Sequence, residues 1–105
     1  MSAEEAFAAI AERLLAEPGV TSGTGFGSRP GLRAGGKIFA MLIDDALVVK
    51  LPAARCAQLV ADGAAIPWDR GQGRPLKEWV AFPARDAEDW PATAGEALAY
   101  ARAKA

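Results

Sequence analysis

The segment from Gly25 to Arg55, GFGSRPGLRAGGKIFAMLIDDALVVKLPAAR, constrains the fold more than any other part of the chain. Gly35-Gly36 and Asp44-Asp45 are turn pairs, and the stretch between them, Lys37 to Ile43, is apolar at nearly every position. A strand apolar on both faces has to be covered on both sides, which makes it the central strand of a sheet. Leu47 to Leu51 is a second, β-branched run, and the two-residue gap at Asp44-Asp45 pairs the two runs as an antiparallel hairpin. Pro52 then opens a helix to about Ala61, because the first-turn amide it lacks has no partner within a helix. Leu51, Cys56, Leu59 and Val60 give that helix an apolar face.

The flanks add further elements. Phe7, Ile10, Ala11, Leu14 and Leu15 recur at helical spacing, Ser2 with Glu5 forms a capping box, and Pro18-Gly19 supplies the stop. Val20 to Gly27 reads as a glycine-rich strand, followed by a turn from Ser28 to Gly31 and a short strand at Leu32-Arg33. From Asp62 to Lys77, glycines 63, 71 and 73 and prolines 67 and 75 break every period, which predicts an exposed, mobile loop around Ile66 and Trp68. Glu78 to Phe82 is a last strand closed by Pro83. A terminal helix from Asp89 to Ala103 has Asp89 as its N-cap and Pro91 in its first turn. At 105 residues the chain suits one domain, spanning residues 1–105, able to bury roughly 65% of its unfolded surface.

Several chemistries are excluded by composition. The chain has no histidine and one cysteine, so the usual general base near neutral pH and the usual zinc ligand sets are missing. Cys56 reads as a buried, inert thiol rather than a reactive one. Asp44-Asp45 is the only tight acidic pair outside the terminal helices, and its position between two apolar runs makes it a turn, not a cation site. Gly35-Gly36-Lys37 is followed by Ile38 and a strand, whereas a phosphate loop continues with Ser or Thr into a helix. No catalytic, cofactor-binding or metal-binding residue is therefore expected. The acidic start, MSAEEAFAAIAERLL, lacks the positive charge of a signal peptide, and no apolar stretch approaches the ~20 residues that cross a bilayer. The expectation is a cytoplasmic protein without a membrane segment.

The order of these elements and the residues in them resemble the N-terminal domain of the TfoX/Sxy family, and more distantly the MmcQ/YjbR family. The resemblance rests on Gly25-Phe26-Gly27, on Gly36-Lys37-Ile38-Phe39-Ala40, on Val49-Lys50-Leu51 at the end of the hairpin, on Ile66-Pro67-Trp68, on Gly73-Arg74-Pro75-Leu76-Lys77-Glu78-Trp79, and on Glu96-Ala97-Leu98. It covers nearly the whole chain. The fold class it implies is α+β: a mostly antiparallel, curved sheet of about five strands with N-terminal, inserted and C-terminal helices. Members of the first family are associated with natural competence and transcriptional regulation, and those of the second with DNA binding. Full-length competence regulators carry a second, helical domain after this one, which these 105 residues do not include.

Charge and aromatic residues supply the candidate contacts. Between Arg29 and Lys77 there are eight Lys or Arg against four acids, a local positive excess within a chain of net charge −1. Arg33, Lys37, Arg70, Arg74 and Lys77 form a basic loop and sheet edge, and an exposed Trp68 would stack on a base. Against this, a sequence pI near 5.4 is far from that of a typical nucleic-acid domain. Trp68, Trp79 and Trp90 either close the core, their indole N–H groups reaching backbone carbonyls, or line a pocket. Two functions follow: a non-enzymatic regulatory domain acting through a protein partner or self-association, and, as the alternative, a nucleic-acid-binding domain using Arg33, Lys37, Trp68, Arg70, Arg74 and Lys77.

Overall fold

The computed structural model describes residues 2–23, 30–69, 71 and 73–104. Six strands form one open, curved antiparallel sheet: β1 (Val20–Ser22), β2 (Gly31–Ala34), β3 (Lys37–Ile43), β4 (Ala46–Lys50), β5 (Ile66–Pro67) and β6 (Trp79–Phe82), in the spatial order β1-β2-β3-β4-β6-β5. Helices α1 (Ala3–Leu14), α2 (Ala53–Ala61) and α3 (Trp90–Lys104) complete the α+β domain. Beyond Gly23, the glycine-rich strand expected to reach Gly27 lies outside the described residues.

The two central strands come from the hairpin read in the sequence. Asp44 and Asp45 both sit at positive φ, 50° and 62°, the backbone of a two-residue turn whose twist matches the strands it joins. The Gly35-Gly36 turn has the same character at 61° and 82°. Along β3, Leu32 of β2 faces Ala40 and Arg33 faces Ile38, so Phe39 is an extra residue in a β-bulge. The bulge lets the consecutive residues Phe39 and Ala40 both enter the same core, where both are fully buried. Regular alternation would have turned one of them away.

Each face of the sheet has its own apolar cluster. Ala40, Leu42, Leu47, Val49, Val80 and Phe82 point to the side that carries all the buried helical residues: Ala3, Ala6, Phe7 and Ile10 of α1, Cys56 and Leu59 of α2, Trp90, Ala94, Ala97 and Leu98 of α3. Ala94 and Ala97 are fully buried and small, so α3 lies close over the middle of the sheet. Each large side chain fully buried there contributes about 1.5–3 kcal/mol of transfer free energy.

Polar contacts fasten α3: Arg55 Nε of α2 donates to Glu96 Oε2 of α3 at 2.8 Å, and Arg102 of α3 donates to Glu17 Oε1 at 3.1 Å and to the Pro18 carbonyl at 2.9 Å in the turn after α1.

Four expectations need correction. Within the Asp62–Lys77 segment, Ile66 and Pro67 pair with Ala81 and Val80, so the edge of the sheet is a strand where only a loop was expected. Asp89 ends a 3-10 helix (Ala84–Asp89) that runs directly into α3; there is no free helix start for it to cap. Leu15 falls past the end of α1 and is exposed. The Trp90 indole Nε1 is buried without a hydrogen-bond partner among the described residues, so the expected bond to a carbonyl is not made; the ring is held by packing alone. The capping box at Ser2 and Glu5 and the buried Cys56 are as read.

Candidate interaction face

Residues opposite each other in an antiparallel pair share a face, so the strand register defines what the second face of the sheet displays. Met41 pairs with Val48, Val48 with Ala81, Ile43 with Ala46, and Ala81 with Ile66. Met41, Val48 and Ala81 form a small buried cluster, bordered by half-buried Ile38, Ile43, Ala46, Trp68 and Trp79. No helical residue belongs to it. Trp68 follows β5 and meets Trp79 of β6 with ring centroids 5.7 Å apart and planes tilted by 54°. Ile66, beside them, remains 53% exposed. The two tryptophans thus shield one end of a helix-free apolar face and keep part of their own rings in solvent.

Arg33 belongs to the same face through its pairing with Ile38. Its Nε is buried and has no hydrogen-bond partner among the described residues. A desolvated donor left without an acceptor costs on the order of 1–3 kcal/mol, which an acceptor on a docked molecule would recover.

Lys37 pairs with Ala34 at the turn and is exposed; being adjacent to Ile38, it projects to the opposite side. Arg74 and Lys77 are exposed in the connection from β5 to β6, and Arg70 lies outside the described residues. Strand polarity brings the end of β2, the start of β3, the end of β4 and the start of β6 to one end of the sheet. Arg33, Lys37 and Lys77 therefore lie at that end, Lys37 on the opposite side from Arg33, and β3 and β4 separate Arg33 from Lys77 by roughly 15 Å. The pattern is one of separate charges, not one convergent patch.

A third arrangement at this sheet end has no signal in the sequence. Tyr100 of α3 donates its hydroxyl to Glu78 Oε2 at 2.7 Å, while Lys104 and Lys50 approach Glu78 Oε1 at 3.5 and 3.8 Å. The Tyr100 hydrogen bond, assisted by the two lysines, holds the Glu78 carboxyl below its ordinary range. Glu78 thus fastens the end of α3 to the start of β6 and draws Lys50 and Lys104 together at that point. Cys56 donates weakly to the Leu51 carbonyl at 3.6 Å, and burial pushes its thiol up, away from nucleophilic use. Among the described residues, no group of three or more His, Cys, Asp and Glu side chains is placed to hold a metal, and no helix is long and apolar enough to cross a membrane.

Beside α2 the surface is hollow. An open, mostly apolar groove of about 630 Å³ runs between α2 and the β5–β6 edge. A comparison with protein-family models, with curated proteins and with solved structures gives no match to this chain.

Proposed function

We propose that this domain is a non-enzymatic protein-interaction module with a regulatory role, of the kind its resemblance to the TfoX/Sxy N-terminal domain implies, acting in the cytoplasm. The observation that carries this reading is the apolar face that no helix covers among the described residues. Aromatic residues in a partly desolvated patch are the usual energetic anchors of an interface, and Trp68 with Trp79 fits that role. The unpartnered Arg33 Nε favours a partner, or a second copy, that offers a carboxylate or carbonyl beside an apolar surface.

The test compares two charged variants. Ile43→Asp places a charge on the helix-free face, and Ala8→Asp places one on the exposed side of α1. Sedimentation reports self-association, and capture from the native cell reports a partner. Either complex should be lost in I43D and retained in A8D. A complex retained by both variants, or none formed by the wild type, rejects the reading.

A second reading, nucleic-acid binding, is favoured by one observation: Arg33, Lys37 and Lys77 share a sheet end with the stackable Trp68–Trp79 pair. Fluorescence anisotropy with single-stranded and duplex DNA tests it at two salt concentrations. Micromolar binding that falls steeply with salt and is lost in the triple charge reversal R33E/K37E/K77E supports this reading. Absence of binding at low salt removes it.

A further inference from the structure

We infer that the groove between α2 and the β5–β6 edge is a binding site for a small amphipathic carboxylate, an apolar chain ending in one negative charge. Its floor is Cys56 and Val80, and its walls are Ala57 and Val60 on one side and Pro67, Leu76 and Trp79 on the other. The volume of about 630 Å³ lies within the range of small-molecule sites, which are mainly apolar with a few polar groups that fix orientation.

Among the described residues, only one charged side chain lines this groove, Lys77, and no acid does. Lys77 is exposed at the rim and has no carboxylate within ion-pair distance among the described residues. The Lys77 ammonium is thus free to pair with a ligand's anionic end, which favours an anion over an amine or a neutral chain. Alanine methyls at 53, 54, 57 and 61 offer a ligand chain apolar contact and no polar side-chain atom. Pro67 has no N–H with which to bond an extended peptide. A hydrocarbon chain lying along α2 leaves no hydrogen bond unmade, and its carboxylate emerges at the Lys77 ammonium.

This site does not depend on the interaction face, and its test is separate. Decanoate and decanol, below the concentrations at which they aggregate, are titrated calorimetrically into the wild type and two variants. Decanoate should saturate at one per chain and bind more tightly than decanol. In Lys77→Met, which keeps the stem and removes the charge, decanoate should lose roughly two- to fivefold, the value of an exposed charge pair, and the two probes should become equal. Ala57→Phe, at an exposed helix position, should fill the groove and weaken both probes by more than tenfold, with the near-ultraviolet circular dichroism unchanged. If that spectrum is lost, Ala53→Phe serves as the filling variant. Failure of decanoate to saturate, equal binding of both probes to the wild type, or full affinity in the filled variant overturns the proposal.

Discussion

Trp90 and Cys56 show how burial sets what single residues can do. The Trp90 ring is fully buried and its N–H is unsatisfied among the described residues, so its apolar area outweighs a polar penalty. Trp90→Ala should cost about 3–5 kcal/mol. Trp90→Phe, which removes the desolvated N–H and keeps most of the packing, should cost less than about 2 kcal/mol. Guanidinium unfolding monitored by circular dichroism separates the two variants. Because burial raises the Cys56 thiol above its ordinary value, little thiolate forms near neutral pH. At pH 8 the native protein should react with iodoacetamide far more slowly than the same protein in denaturant; equal rates would contradict the buried assignment. At the β3–β4 turn, Asp45 pays for a left-handed backbone that glycine adopts freely. Asp45→Gly should therefore hold or raise stability, by up to about 1 kcal/mol, and a lowered melting temperature would show that the aspartate side chain contributes more than the strain.

Between elements, the Glu78 cluster gives the fold an acid-sensitive fastening. A carboxyl whose folded value is depressed contributes stability that is complete above its unfolded value and is lost as pH falls through the folded one. The lead of the wild type over Glu78→Gln should thus be constant from neutrality down to about pH 4.5, the ordinary glutamate value, and shrink below it. Its size is under about 1 kcal/mol, since the groups are partly solvated; a difference that does not change with pH would remove Glu78 from this role. Elements set by local chemistry were legible in the sequence: the capping box of α1, the two tight turns, the β3–β4 hairpin and the start of α2 at Pro52. Those that depend on distant partners were not. Ile66 and Pro67 are a strand only because Val80 and Ala81 pair with them, and a two-residue run between glycines and prolines has no period to reveal it. Glu78 meets Tyr100 and Lys104 across separations of 22 and 26 residues, which no spacing rule covers. That β3 is apolar on both faces could be read in the chain, but which face the helices leave uncovered is decided by topology.

At the scale of the whole molecule, the sheet has a side covered by the helices, a side on which no described helix lies, and two edges of unequal chemistry. Both tryptophans outside the core, Trp68 and Trp79, stand near the β5–β6 edge, and Trp79 also lines the groove beside α2. A ligand in that groove should change the emission of the wild type and should change it much less in Trp79→Phe; an unaltered response would place the ligand elsewhere. Among the described residues, the edge strands are short. On one side β1 has three residues, and on the other β5 has two, one of which is Pro67. At β5, a two-residue margin ending in proline presents too few unpaired amides to template another chain. Copies of this domain therefore do not extend one another's sheet through the β5 side, despite a core strand as apolar as β3.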